Sequence, residues 1–202
     1  MTAALAREGR YLVHGLDRDP SRVHRARRHL ESEGLRGEVS VKNWTGDGLP
    51  YADNLVALLI VEDDRNPDPR EIRRVLRPRG VALVSKNGDW AHIRKDWPEG
   101  MDEWTHYLRG PDNNAVSTDT HVGPPRRLQW RSGPVWCRSH DHLASVSAVV
   151  SAKGRVFSIV DRGPVASVAF PARWFLVARD GFNGVKLWER RIEPWTGRFR
   201  GF

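Results

Sequence analysis

Cysteine and long apolar runs are scarce in this 202-residue sequence. Cys137 is the single cysteine, which excludes an internal disulfide and a cysteine-rich metal site. No stretch approaches the roughly 18 apolar residues that a membrane-spanning helix needs. The first ten residues also lack the apolar core of a signal peptide. The sequence therefore predicts no export signal and no membrane span, and the cytoplasm is the default compartment unless a longer parent protein is exported.

Basic residues are more frequent than acidic ones, 33 Lys and Arg against 25 Asp and Glu, for a formal net charge of +8. A basic balance favours nucleic acid or membrane surfaces, but the arginines are scattered along the whole chain. Arg22, Arg25 and Arg28 recur every third residue on a predicted helix. A face that contacts phosphates and a solvated face opposite a core stripe both fit this spacing, and we favour the second. No nucleic-acid partner is predicted.

Tryptophan divides the sequence into two halves. Trp44 is isolated, whereas the other eight tryptophans lie between Trp90 and Trp195. The hydrophobic period changes at the same place, from strands alternating with helices to short strands separated by turns. We therefore predict a partial α/β segment over residues 1–86, a polar and irregular linker over residues 87–125, and an all-β segment over residues 126–202.

Strands and helices alternate in the first half. The patterns predict strands at residues 11–16, 38–41, 54–61 and 81–84. Asp19-Pro20 and Asp68-Pro69 predict two helix starts, because aspartate caps a helix and proline suits its first turn. Gly34 predicts the end of the first helix. The spacing of apolar residues predicts a buried stripe on each helix: Val23, Ala26 and Leu30 on the first, and Ile72, Val75 and Leu76 on the second. The continuous apolar run 54–61 suggests a strand buried on both faces, and residues 77–80 suggest a turn. This alternation predicts a doubly wound parallel sheet.

The second half reads as hairpins. Strands are predicted at residues 145–151, 154–160, 174–179 and 185–190, with turns at residues 152–154 and 180–184. Asn183-Gly184 is a strong hairpin signal, because both residues adopt positive φ readily. Together these strands predict one four-stranded antiparallel unit.

Three segments of the first half resemble class I S-adenosylmethionine-dependent methyltransferases. They are YLVHGLD at residues 11–17, GDGLPYAD at residues 46–53 and EIRRVLRPRG at residues 71–80, where Arg79 replaces the first of two usual glycines. The resemblance implies S-adenosylmethionine as the cofactor and a Rossmann-like sheet. It also implies that Asp17 accepts hydrogen bonds from the cofactor ribose and that Asp47 lies at the adenine edge.

Other parts of that family have no counterpart in the sequence. The first strand with its G-x-G-x-G loop would precede residue 2, and no last helix or closing antiparallel strands follow residue 84. Glycines of that loop let backbone N–H groups approach the cofactor. We therefore expect that this chain alone is not catalytically competent, and a truncated gene model is one explanation. The methyl acceptor, a small molecule or a protein, is not indicated.

The second half resembles quinoprotein-like β-propeller repeats related to pyrroloquinoline quinone dehydrogenases. FLVARDGFNGVKLW at residues 175–188 matches the end of such a repeat through Asp180, Gly184 and Trp188, and residues 101–130 resemble the lead-in to propellers of multidomain bacterial proteins. The resemblance implies a partial propeller of about one blade, where a complete one has about 4–8. Pyrroloquinoline quinone is held by residues from many blades, so we do not expect it on this chain. Unpaired sheet edges predict self-association.

Several further groups carry two interpretations each. Acidic residues after the buried strand suit acid–base or metal chemistry, or simply a solvated loop, and histidines in the second half suit a metal site or a polar loop. Four tryptophans suit ligand stacking or structural packing. We favour the structural interpretation for each of these three groups and predict no metal. Cys137 is interpreted as a small apolar core residue. The groups are Glu62-Asp63-Asp64; His140-Asp141-His142 with His106 or His121; and Trp97, Trp104, Trp130 and Trp136.

Three functions follow from these patterns. The first is a parent protein that joins a methyltransferase-like domain to a quinoprotein-like propeller. The second is a non-catalytic propeller that binds proteins or ligands, with a degenerate α/β segment. The third is part of an oxidoreductase that uses pyrroloquinoline quinone, which needs calcium and many more blades. A G-x-G-x-G loop upstream favours the first, and further tryptophan-ending repeats with quinone ligands are required for the third.

Overall fold

The computed structural model describes residues 2–7, 9, 11–35, 37, 39–62, 67–121, 123, 128–133, 146–166 and 170–193. The chain has a mixed α/β architecture with few helices, and it divides into two compact units, Met1–Pro50 and Tyr51–Phe202. None of the helices in the described ranges is long and apolar enough to cross a membrane. Five groups singled out in the sequence lie outside the described residues: Asp63, Asp64, Trp136, Cys137 and residues 140–142.

The first unit is a strand–helix–strand motif preceded by a short helix. Its elements are α1 (Thr2–Arg7), β1 (Val13–Asp17), α2 (Pro20–Ser32) and β2 (Val39–Asn43). The two strands are parallel, and their register runs from Val13 opposite Val39 to Asp17 opposite Asn43. The core is apolar and consists of Ala6, Val13, Leu30, Leu35 and Val39. Of the predicted helix stripe, Val23 and Leu30 are buried and Ala26 is half-buried.

Local signals define both ends of α2. Asp19 is the N-cap, and its side chain accepts a hydrogen bond from the backbone N–H of Ser21 at 2.8 Å. Pro20 occupies the first turn, where a missing N–H removes no hydrogen bond. After the helix, Gly34 adopts a φ of 71°, the left-handed conformation that ends helices. The predicted start and the predicted stop are both confirmed.

The second unit begins with a three-stranded sheet and one helix. Its elements are β3 (Val56–Val61), α3 (Pro69–Val75), β4 (Leu76–Lys86) and β5 (Asp89–Arg94). β4 is central, parallel to β3 and antiparallel to β5. Asp68 caps α3, and the predicted stripe of Ile72, Val75 and Leu76 is buried, with exposed fractions of 2%, 0% and 0%.

Three expectations for this region are wrong. β3 is not buried on both faces. All six of its residues are half-buried, because β4 is its only hydrogen-bonded neighbour in the part of the chain that the structure describes. Residues 77–80 do not form a separate turn but belong to β4, where the register to β3 shifts between Val56 and Leu58. A closing antiparallel strand does exist, because β5 pairs with β4 through a turn in which Asn87 and Gly88 have φ values of 53° and 90°. β5 also lies inside the predicted linker.

The predicted doubly wound sheet is present only as separate parts. β1 and β2 form one two-stranded sheet, and β3, β4 and β5 form another, with no ladder between them among the described residues. The strand–helix alternation was read correctly, but hydrogen bonding between distant strands is not encoded in local periodicity.

A four-stranded antiparallel sheet completes the second unit. β6 (Val146–Ala152), β7 (Arg155–Asp161), β8 (Trp174–Asp180) and β9 (Lys186–Arg191) lie side by side in sequence order. All four predicted strands are confirmed to within one residue at each end. Hairpin turns explain this accuracy, since Lys153 and Gly154 take φ values of 50° and 73° as a two-residue hairpin loop requires.

Residues 97–121 form a hydrogen-bonded loop with Asp102 at its centre. The Asp102 carboxylate accepts hydrogen bonds from Arg109 Nε at 2.7 Å, Ser117 Oγ at 3.0 Å and the Thr118 N–H at 2.8 Å. These bonds, first of all the one from Arg109, hold the pKa of Asp102 far below its usual range. The loop is fastened to β6, where the Ser151 N–H donates to the Trp104 carbonyl at 2.7 Å.

Candidate cofactor site

The carboxyl edge of the β1–β2 sheet brings together the polar residues that end the two strands. Both strands are parallel and are joined by α2, so their carboxyl ends lie at the same edge. Asp17 is the last residue of β1 and pairs in register with Asn43, the last residue of β2. In open α/β sheets ligands bind outside this edge. The predicted position of Asp17 at a strand end is therefore observed.

The two oxygens of the Asp17 carboxylate have different surroundings. Oδ1 accepts a hydrogen bond from the Asp19 N–H at 2.8 Å and lies 3.3 Å from Arg22 Nε. Among the described residues no hydrogen bond reaches Oδ2, and the side chain is 30% exposed. One oxygen therefore fixes the orientation of the carboxylate, and the other remains an acceptor open to a ligand.

Asn43 and Trp44 tie the loop that leaves β2 to the end of β1. Asn43 Nδ2 donates to the carbonyls of Asp17 at 3.1 Å and Arg18 at 2.8 Å, and the Trp44 N–H donates to the Asp17 carbonyl at 3.0 Å. Sequence reasoning did not single out Asn43 or Trp44. Asn43 could have been found as an amide side chain directly after a predicted strand, because such side chains donate hydrogen bonds to backbone carbonyls at strand ends.

Asp47 lies in the loop that follows β2, at the same edge as Asp17. Its side chain is exposed, and no contact between the two aspartates occurs in the part of the chain described. The loop is shaped by Gly46, where an added Cβ would lie only 2.5 Å from Cζ2 of the Trp44 ring. The indole therefore covers the Gly46 backbone, and only glycine permits this approach.

Arg22 is the main positive charge on the edge. Its Nε lies 3.3 Å from Asp17 Oδ1 and 3.5 Å from Asp19 Oδ2. The Ser21 N–H, and to a smaller degree Arg22, lower the pKa of the Asp19 carboxyl. On β1, burial and then the charge of Lys42 lower the pKa of His14. The imidazole of His14 therefore favours its neutral form, and Arg22 rather than His14 offsets the carboxylates.

The remaining candidate residues do not form a second polar site in the described ranges. No group of three or more His, Cys, Asp or Glu residues there is arranged to hold a metal ion. His106 Nδ1 lies 2.9 Å from Thr105 Oγ1, and the His121 N–H donates to Asp119 at 2.7 Å. Glu62 is exposed, as are Arg22, Arg25 and Arg28 on α2. These placements fit the solvated-loop and solvated-face interpretations.

Two of the tryptophans pack on the hairpin turns of the four-stranded sheet. Trp97 meets Phe182 edge to face at 6.0 Å, with the Arg79 guanidinium 4.8 Å from its ring centre. Trp130 Nε1 donates to the Gly181 carbonyl at 3.0 Å, and its ring lies against Gly184. These contacts favour structural packing over ligand stacking.

The edge described above offers two carboxylate acceptors to a ligand. Asp17 lies at a strand end, where a carboxylate can accept hydrogen bonds from the hydroxyls of a vicinal diol. The exposed Asp47 carboxylate can accept a hydrogen bond from an amine.

Two of the solved structures that match this chain show how low the similarity is. One is a protein from Galdieria sulphuraria assigned as a sarcosine dimethylglycine methyltransferase, with 26% identity over 41% of this chain and a TM-score of 0.37. The other is the [4+2]-cyclase SpnF, with 25% identity over 41% of this chain and a TM-score of 0.36. The chain spans 33% and 32% of the length of these two structures. No protein-family model and no curated protein matches the chain.

Proposed function

We propose that residues 1–50 bind the adenosine moiety of S-adenosylmethionine and that the chain is part of a larger protein in which a methyltransferase-like domain precedes a β-propeller. The observation that carries the first part is the Asp17 carboxylate, which ends β1 with Oδ1 engaged and Oδ2 open at the carboxyl edge. The four-stranded antiparallel sheet with its Asp180 and Gly184 turn supports the second part.

In this proposal the residues of the chain recognise the cofactor without performing the reaction. Both ribose hydroxyls donate to Asp17 Oδ2, while the Asp19 N–H and Arg22 hold the carboxylate in its orientation. Asp47 accepts from the adenine amine. Bound S-adenosylmethionine supplies a sulfonium methyl group for transfer, and methyl transfer depends mainly on alignment with the acceptor. We propose that the chain alone does not turn over.

The test is isothermal titration of S-adenosylmethionine into the purified chain and three variants. A hydrogen bond to a charged group contributes about 1.5–3 kcal/mol, so Asp17→Asn should weaken binding by about 10- to 150-fold. Asp47→Asn should weaken it less, because that side chain is exposed. Asp89→Asn is the matched control, an exposed aspartate at the start of β5 that should leave binding unchanged.

Two results would contradict the proposal. Folded wild-type chain that gives no saturable heat would show that the edge has no working nucleoside site. Equal binding by wild type and Asp17→Asn would show that the ligand is held elsewhere. Circular dichroism of each variant separates either result from loss of the fold.

A second function, a non-catalytic binding or scaffold module, is favoured by the surface of the four-stranded sheet. Leu187 and Trp188, which are neighbours on β9, each expose 45% of their surface, and Trp188 pairs with Ala178 on the face of the sheet opposite Val177. In a propeller such faces are covered by neighbouring blades. We propose that the isolated chain self-associates through this sheet. Sedimentation velocity tests this, since Trp188→Ser should reduce association whereas Leu128→Ser, exposed outside the sheet, should not.

A further inference from the structure

One face of the four-stranded sheet contains a cavity of about 240 Å³ that the proposed function does not use. Its floor is formed by valines from three adjacent strands, and Trp130 forms a wall. Val149, Ser158 and Val177 are cross-strand partners and therefore point to the same face. Val177 is 1% exposed, so the floor is a continuation of the core. A small apolar group fits this space.

Two arginines border the same cavity. Arg179 pairs in register with Val156, which places its side chain on the cavity face, and Arg162 follows β7 at the other side. Arg179 Nη1 donates to the Gly184 carbonyl at 2.9 Å, and no carboxylate partner of Arg179 occurs among the described residues. A guanidinium has five N–H donors, so most of those on Arg179 remain for a ligand.

The charges facing the cavity leave a positive excess. Arg162 Nη1 lies 2.9 Å from Glu189 Oε2, and the same oxygen accepts from Lys186 Nζ at 3.0 Å. Glu189 thus forms ion pairs with two other cations and acts on Arg179 only as a nearby charge. Burial, and then repulsion from Arg162, lower the pKa of Arg179, and Glu189 offsets this in part. An anion beside Arg179 would add to that offset.

We propose that this cavity binds a small organic carboxylate, with its carboxylate on Arg179 and its apolar body on the valine floor against Trp130. A ligand that contacts both the apolar floor and the two arginines must have an apolar group and an anionic group. Inorganic anions have no apolar group. The volume lies below the roughly 300–1,000 Å³ of pockets for drug-sized ligands. A monocarboxylate with about five to seven carbons is therefore the size class.

The experiment titrates hexanoate, hexanamide and inorganic phosphate into the full chain by isothermal calorimetry. Wild type should bind hexanoate saturably and bind hexanamide and phosphate at least 10-fold more weakly. Arg179→Gln should lose at least 10-fold in hexanoate affinity. The matched control is Arg190→Gln, since Arg190 pairs with Leu176 on the opposite face of the same sheet and should bind as wild type does.

A second variant keeps the test valid if Arg179→Gln loosens the hairpin through its bond to Gly184. Val149→Phe fills the cavity from a position that is 53% exposed, and it should abolish hexanoate binding without unfolding the sheet. Hexanamide binding as tightly as hexanoate would overturn the role of Arg179, and phosphate binding as tightly would overturn the role of the floor. Equal losses in Arg179→Gln and Arg190→Gln would show only general charge attraction.

Discussion

Substitution of Gly184 tests how the turn between β8 and β9 is built. Gly184 has a φ of 73°, and an added Cβ would lie 2.6 Å from Cδ2 and Cε3 of Trp130. Alanine therefore suffers backbone strain of about 1–2 kcal/mol. It also displaces the indole from Gly184 and breaks its hydrogen bond to the Gly181 carbonyl, another 1–2 kcal/mol or so. We expect Gly184→Ala to lower the free energy of unfolding by about 2–4 kcal/mol.

Gly88→Ala is the matched control for that substitution. Gly88 also has a positive φ, 90°, but an added Cβ would meet nothing within 4 Å. Gly88→Ala should therefore lower the free energy of unfolding through backbone strain alone, by about 1–2 kcal/mol. Both glycines belong to the second unit, so urea unfolding followed by far-ultraviolet circular dichroism reports on the same body for both variants.

The double variant with Trp130→Ala separates the two contributions. In that background Gly184→Ala should destabilise only as much as Gly88→Ala, because the ring that the new methyl group meets is gone. Equal losses for Gly184→Ala and Gly88→Ala in the presence of Trp130 would refute the reasoning. They would show that the tryptophan does not rest on the turn.

Two further predictions concern the second unit. The pKa of Asp102 is depressed in the fold, so its stabilisation is present above the unfolded value near 4 and is lost as pH falls toward the folded value. Between about pH 5 and pH 2, the urea midpoint of wild type should therefore fall more steeply than that of Asp102→Asn; parallel curves would contradict this. Leu76→Ala, at a position with 0% exposure, should cost about 2–5 kcal/mol by urea unfolding. Leu128→Ala, at a 75% exposed position, should change stability by less than about 0.5 kcal/mol; similar losses would refute the assigned core.

Features that depend on neighbouring residues were predictable from the sequence. Asp19 and Asp68 were expected to start helices, and both side chains accept the backbone N–H two residues later. The strands of the second half were placed to within one residue, because short hairpin turns fix where each strand can begin. Asn87-Gly88 is a turn signal of the same kind, but β5 was not predicted, because the polar residues around it were assigned to a linker.

Features that depend on distant pairing were not predictable. The apolar run of β3 fits a central strand, and only the number of its hydrogen-bonded neighbours makes it an edge strand. At the candidate site, the position of Asp17 followed from the strand pattern. Two other features of the site depend on how α2 and β2 pack beside β1. They are the ion pair between Arg22 and Asp17 Oδ1 and the hydrogen bonds from Asn43 to the end of β1. The Arg179 cavity likewise exists only once three strands are in register.

The most direct test of the proposed cofactor site compares adenosine with 2′,3′-dideoxyadenosine on wild type and Asp17→Asn. Removing the ribose hydroxyls from the ligand, or the charge from Asp17, breaks the same proposed bonds. Each change alone should weaken binding by about 10-fold or more, and the two together should weaken it little further. Calorimetric affinities that fall by the product of the two single losses would contradict a contact between Asp17 and the ribose.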